Sequence, residues 1–311
     1  MIDAANQTVI FEINNQNYTR TSNASGVAGI NINLNPGKYS IKTTYGNITA
    51  LNTIEVLPTL IADNLVKTFK NQSQFYISLI NKSGNYVPNT PITMNINGVF
   101  YDRVTNENGT AKLNINLNPG KYVLTATDPL TGLQMSYDIT VLPTLIADNL
   151  VKYFRNESQF YISLFDNKGN AVPNATITMN INGVFYDRVT NENGTAKLNI
   201  NLNPGKYVLT ATDPLTGLQM SYNITVLPVL TAEDLSMKYN DGSQFKATLV
   251  DGQGNALAGV NITFNINGVF YYRETDSKGV AKLNIRLMAG EYIITSQYES
   301  AAVSNKITIT S

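Results

Sequence analysis

The groups that could do chemistry in this chain are oxygen and amide donors, because it has no Cys, no His and no Trp. Without His there is no side chain that titrates near neutrality, and the commonest metal ligand is gone. Without Cys there are no thiolate nucleophiles, thiolate zinc sites or disulfides. Asp166-Asn167-Lys168-Gly169-Asn170 places several oxygen donors together, as a calcium ion requires. Its counterpart Asp251-Gly252-Gln253-Gly254-Asn255 keeps fewer side-chain donors, and Lys168 would sit against the ion, so a plain turn is the stronger reading. Twelve Asn-x-Ser/Thr sequons are present. Asn71, Asn108, Asn156 and Asn193 are the candidate glycan acceptors, the second and fourth falling in predicted turns where an acceptor is accessible. Asn95, Asn97, Asn114, Asn116 and Asn118, with Thr93, are expected to share the outward faces of neighbouring strands. Amides there could donate to and accept from sugar hydroxyls. No Trp offers a stacking surface, and Arg286 and Met288 replace two of the amides in a later copy, so a solvated polar face is favoured. Carboxylates such as Asp102 and Glu107 recur, but no nucleophile, base and orienting group come together. No enzyme is expected, and no catalytic, metal or cofactor site is assigned.

The elements that position these residues follow from an internal repeat. Leu57–Val141 and Leu142–Val226 align without a gap, 74 of 85 positions being identical, and residues 227–311 are a diverged third copy. Residues 1–56 match only the later part of a copy, beginning at the strand that holds Val9, Phe11 and Ile13. The expected domains are therefore 1–56, a partial module lacking its first strands, and complete modules at 57–141, 142–226 and 227–311. Within a copy the apolar period is two, the signature of strands with one buried face. Ile92, Met94 and Ile96 alternate with Thr93, Asn95 and Asn97, and Phe75, Ile77 and Leu79 form another such row. Asn97-Gly98 between two alternating runs is a strong hairpin signal, since both central residues of a type I′ turn need positive φ. About seven short strands in 85 residues give the count and spacing of an all-β, immunoglobulin-like antiparallel sandwich. Short Pro-containing joints between copies predict a semi-rigid string. Arg103, Arg188 and Arg273 recur as charges that keep an edge strand from pairing.

Residues 166–178 (Asp166-Asn167-Lys168-Gly169-Asn170-Ala171-Val172-Pro173-Asn174-Ala175-Thr176-Ile177-Thr178), followed by Thr190-Asn191-Glu192-Asn193-Gly194-Thr195-Ala196, resemble bacterial Ig-like domains of the invasin and intimin type. The recurring Ile-Asn-Gly-Val-Phe-Tyr at 96–101, 181–186 and 266–271 is similar to the Ig-like repeats of adhesin-like proteins of methanogenic archaea. The resemblance implies an extracellular, wall-associated protein that adheres or scaffolds. Surface Ig-like modules of some bacterial proteins join a first-strand Lys to a last-strand Asn as an isopeptide. Only residues 142–226 carry both partners, Lys152 and Asn223, while the other copies have Lys67 with Asp138 and Met237 with Lys306. Two solvated polar residues are therefore the expectation, with no cross-link.

Acidic and basic residues balance at 22 each, which gives no electrostatic case for nucleic acid or anionic membrane as partner. No apolar run is long enough to insert into a membrane, and Met1-Ile2-Asp3-Ala4-Ala5-Asn6 lacks the basic and apolar parts of a signal peptide. The expected role is a cell-surface stalk, near-identical successive copies suiting a spacer. The alternative is that the modules themselves bind a glycan or protein on a partner cell. The expected partners are the cell wall or a glycan or protein on another cell's surface, with the partial module at residues 7–56 completed by edge-strand pairing with another chain or by upstream sequence.

Overall fold

The computed structural model describes residues 4–311, which divide into two compact units, residues 4–142 and 143–311. Met1, Ile2 and Asp3, read above for a leader, lie outside the described residues.

In the first unit, Thr8–Ile13 (β1), Gln16–Thr21 (β2), Gly37–Tyr45 (β3) and Ile48–Val56 (β4) form one antiparallel sheet in the order β2-β1-β3-β4. Phe11, Ile13 and Ile41 are its buried residues, and Ala28, Ile30 and Leu34 from an irregular stretch lie over them. In a complete copy the stretch equivalent to residues 27–31 is a strand. Here no neighbouring strand is available to pair with it, so period two in the sequence does not become a ladder.

Residues 57–142 add Leu60–Ile61 (β5), Leu65–Thr68 (β6), Gln74–Leu79 (β7), Pro91–Ile96 (β8), Val99–Val104 (β9), Thr110–Asn114 (β10), Gly120–Thr127 (β11) and Gln134–Leu142 (β12). They build a sandwich of a three-stranded sheet, β10-β7-β5, and a five-stranded sheet, β6-β12-β11-β8-β9. The first edge of the module breaks at Ala62-Asp63-Asn64 and changes sheet: β5 pairs antiparallel with β7, β6 parallel with β12. This crossing gives eight strands where the sequence suggests about seven. Phe75, Ile77 and Leu79 from one sheet meet Ile92, Met94, Leu124, Ala126 and Ile139 from the other, and all are buried. Each large apolar side chain so buried contributes about 1.5–3 kcal/mol. The Phe75 and Tyr137 rings tilt together at 5.4 Å, and the Tyr137 hydroxyl donates to the Leu60 carbonyl at 3.1 Å.

The second unit holds two more sandwiches of the same strand order. Equivalent positions keep equivalent burial: Ile96, Ile181 and Ile266 are 3%, 3% and 5% exposed, and Leu113, Leu198 and Leu283 are 1%, 1% and 2% exposed. Asn114, Asn199 and Asn284 face outward. Since a one-residue slip would flip every side chain, the register is shared by the three copies. Asn97 and Gly98 have φ of 53° and 76°, the two positive values that a type I′ hairpin needs.

Candidate functional site

The first lysine strand turns its cation inward. Lys67 and Lys152 are 7% and 5% exposed, which corrects the expectation of solvated side chains. In β6 the lysine is flanked by residues that face out, so the strand's alternation carries it between the sheets. Lys67 Nζ donates to the carbonyls of Ile115 at 2.9 Å and Ser73 at 3.0 Å; Lys152 Nζ reaches Ile200 at 2.9 Å and Ser158 at 3.2 Å. Burial holds both amines below the usual lysine range. Met237 fills the slot in the third copy and is equally buried. Asn223 is exposed on its strand, while Lys152 pairs in register with Val226. The two isopeptide candidates therefore lie on opposite faces of their sheet and are not brought together.

A second buried polar group escaped the sequence reading. Asp128, wholly buried after β11, accepts hydrogen bonds from the Thr59 and Thr131 hydroxyls and from Leu130 N at 2.7 Å. Burial works to raise its carboxyl, but the bonds from Thr131, Thr59 and the loop backbone outweigh it and hold the group below the ordinary aspartate range. Asp213 makes the same set with Thr144, Thr216 and Leu215. The pairing of Thr59 with Asp128 across 69 residues in both copies was the available signal. In the third copy Val229 and Tyr298 occupy these positions.

The Asp166 loop is a turn whose oxygens are already engaged. Asp166 Oδ1 accepts from Lys168 N and Asn170 N, both at 2.8 Å, and Oδ2 accepts from Asn170 Nδ2 at 3.0 Å. Of these contacts, the bond from the Asn170 side chain does most to hold the carboxyl below the usual range. Asp251 repeats the pattern with Gln253 and Asn255.

Among the candidate acceptors, Asn108 and Asn193 are exposed at turns. Asn71 and Asn156 are half-buried, each Oδ1 accepting from the serine two residues on. Asn156 Nδ2 also donates to the Gly252 carbonyl.

The polar rows divide between the two sheets. Asn95 lies in β8, but Asn114 lies in β10, where it accepts from Gln74. They do not share a face: β10 pairs with β7, so its outward side is the other side of the sandwich. The outer face of the five-stranded sheet carries the row Ser136–Thr125–Asn95–Phe100, one residue from each of four strands. Phe100, Phe185 and Phe270 are 71%, 70% and 57% exposed on it.

Strand β9 forms the open edge of that sheet, and a two-residue hairpin directs the backbone groups of Phe100, Asp102 and Val104 outward. Arg103 Nη1 donates to the Asp102 carbonyl at 2.8 Å, and Arg188 and Arg273 repeat the bond at 2.7 Å each. Each guanidinium also lies over a neighbouring ring, Tyr101, Tyr186 or Tyr271. Arg20 caps Thr19 in the same way at 2.8 Å, a fourth instance not noticed in the sequence.

Within the second unit, residues 153–156 dock on the third copy. Arg155 Nη1 meets Glu299 Oε2 at 3.0 Å, beside the bond from Asn156 to Gly252. The Tyr153 ring approaches Gly254 so closely that a Cβ there would stand 2.6–2.8 Å from its atoms.

No family model matches the chain. The inverse autotransporter adhesin YeeJ of Escherichia coli (strain K12) is 26% identical over 219 residues, covering 61% of this chain and 9% of that protein's length. Among solved structures, the bacterial integrin-binding protein invasin is 14% identical, covers 98% of this chain and 72% of its own, and has a TM-score of 0.24. A Ca2+-stabilized adhesin of an Antarctic bacterium that binds ice is 17% identical, with 99% and 91% covered and a TM-score of 0.21. The sequence match is to a bacterial protein, and archaeal origin finds no support in it. The chain is similar in sequence to an adhesin and is built of tandem Ig-like sandwiches.

Proposed function

We propose that this chain is a non-enzymatic segment of an extracellular, wall-associated adhesin, its modules forming a semi-rigid stalk that holds a binding part away from the wall. The observation that carries the reading is the joint within residues 143–311. The strand Gln219–Leu227 is followed by Leu230–Ala232 after only two residues, and the Arg155–Glu299 ion pair and the Asn156–Gly252 bond fasten the modules beside it. A spacer transmits position only if its joints resist bending. The similarity to an adhesin supports the setting.

Because the chain has no Cys, two engineered cysteines can carry spin labels without background. Labels at the exposed Lys197 and Lys246 should give one narrow distance population. Gly254→Ala, which drives a Cβ into the Tyr153 ring, should broaden it. A broad distribution in the parent chain would overturn the stalk reading.

For residues 7–56 the proposal is pairing along the free edge of β4, supported by the contrast with β12, whose equivalent edge holds β6 in parallel. The alternative role, in which modules bind a glycan or protein on a partner cell, has a specific observation in its favour only in residues 227–311.

A further inference from the structure

The outer sheet face of the third copy differs from the other two where an aromatic ring replaces a carboxylate. In the first two copies Thr93 Oγ1 donates to Asp102 Oδ1 at 2.6 Å, and Thr178 to Asp187 at 2.7 Å. In the third, Tyr272 stands opposite Thr263, so the threonine hydroxyl has no carboxylate across the ladder. Tyr272 and Phe270 are two apart on one strand, so they share a face about 7 Å apart, and they are 63% and 57% exposed. Two exposed rings side by side are costly to leave in water and do no packing work inside the module.

We propose that the face formed by Phe270 and Tyr272 in residues 227–311 binds a neutral oligosaccharide. This rests on the alternative reading above, and its failure leaves the stalk untouched. The rings run into two transverse rows. Phe270 leads to Asn265, Thr295 and Ser304, and Tyr272 leads to Thr263 and Gln297. At roughly 4.8 Å per strand the first row spans about 14 Å and the second about 10 Å. Apolar CH faces of a sugar match the rings, and its hydroxyls match groups that both donate and accept. No position in either row is charged, which favours an uncharged ligand over a phosphate or an acidic polymer. Arg273 occupies the Tyr272 carbonyl on the open edge, which disfavours a protein partner adding a strand there.

Internal comparison separates this face from drift. Exposed positions elsewhere have changed freely between the second and third copies, with Tyr161, Val151 and Asn203 becoming Lys246, Ser236 and Met288. Phe270 has stayed, and the change beside it added a ring rather than a charge. Asn265 has a structural duty as well, its Oδ1 accepting from Gly268 N at 3.2 Å, which orients the amide and leaves Nδ2 directed away from the turn bond.

The test uses the whole chain on an array of neutral hexose oligosaccharides of two to six units, with hits titrated by amide chemical-shift perturbation. Binding is expected to be weak and to shift amides of residues 263–272 and 295–304. Phe270→Ala and Tyr272→Asp, the latter restoring what the sister modules carry, should each weaken binding about three- to tenfold, the loss of one stacking partner. Phe185→Ala, the equivalent change in the second copy, should leave it within about twofold. Both sites are more than half exposed, so unchanged melting of the variants checks folding. The proposal is overturned if no neutral oligosaccharide binds at millimolar concentration or if only charged glycans bind. It is equally overturned if both variants bind as the parent does, or if Phe270→Ala instead abolishes self-association of the chain.

Discussion

Replacing Lys67 and Lys152 together by Met tests what the buried cations contribute. Each ammonium has left water for a site whose side-chain partners are two backbone carbonyls, at 2.9–3.2 Å, with no carboxylate among them. Hydrogen bonds from a charged donor contribute about 1.5–3 kcal/mol each. Against them stands a desolvation cost of several kcal/mol per ion. Met matches the volume of the lysine stem, and the third copy shows that a module closes around it, with Met237 6% exposed. The substitution should therefore stabilise each of the first two modules by about 1 kcal/mol at pH 7, or about 4–8 °C in Tm for a domain of this size. Lys67→Ala should instead cost about 2–4 kcal/mol, because the stem leaves a cavity. The pH dependence supplies an internal check. Burial lowers the amine's pKa in the folded state, so between the folded value and about 10.4 the unfolded chain binds more protons and stability rises with pH. The parent should gain on the Met variant as pH climbs through that window. Calorimetry of the whole chain provides the measurement, with the third module as an unaltered reference. A loss of more than about 1 kcal/mol at pH 7 would show that the carbonyl bonds outweigh desolvation, and the reasoning would be wrong.

Asp128→Ala should cost the first module about 2–3 kcal/mol by leaving Thr59, Thr131 and Leu130 without their acceptor. Because its carboxyl is depressed, its contribution is full above about pH 4 and fades as pH falls through the folded value, a slope that urea titrations should find missing from the variant. Arg103→Ala, Arg188→Ala and Arg273→Ala combined should open the edge strands and produce concentration-dependent association in light scattering; a chain that stays monodisperse would deny the guanidinium caps their role. Expression in a glycosylating host followed by peptide mass spectrometry should find Asn108 and Asn193 occupied and Asn156 bare, since Asn156 Nδ2 is tied to Gly252. Amides of Ile48–Val56 should exchange faster than those of Gln134–Leu142 in a monomeric chain, and equal protection would remove the case for pairing along β4.

The sequence made strands and faces legible because period two is a local property. Ile92, Met94 and Ile96 can be assigned to one face without knowing which strand lies beside them. Sheet membership is not local. Asn95 and Asn114 both read as outward, and only the pairing of β10 with β7 puts them on opposite sides of the sandwich. Lys67 failed for a related reason: its strand is four residues long, too short to display alternation, and a lysine in isolation reads as exposed. Asp128 was hidden because its partner Thr59 lies 69 residues away. The third-copy platform was half visible. Phe270 and the absence of Trp are plain in the sequence, but the exposure of that ring, and of Tyr272 beside it, comes only from the position of their strand at the sheet edge.

The third copy's departures are best understood as one exchange rather than scattered drift. Thr144, Asp213, Lys152 and Tyr222 of the second copy correspond to Val229, Tyr298, Met237 and Asn305, so a set of buried polar contacts disappears together. Two residues are also missing from the loop that follows Tyr298. In the second copy that loop is held from within, by the buried Asp213. In the third it is held from without: Glu299 takes a φ of 48° and meets Arg155, while Phe154, Tyr298 and Ala301 line the same groove. A buried carboxylate and a tight docking contact are alternative ways to fix one loop, and removing the first frees the sequence to adopt the second. The exchange has left a trace in the core, where Ser296 Oγ and Asn305 Oδ1 are buried without a hydrogen-bond partner. An unpartnered buried hydroxyl costs about 1–3 kcal/mol. Ser296→Ala, which restores the residue at Ala126 and Ala211, should therefore raise the stability of residues 227–311 by about 1 kcal/mol in denaturant titrations. A loss of stability would mean that the hydroxyl is satisfied by ordered water, and that the core was rebuilt around it.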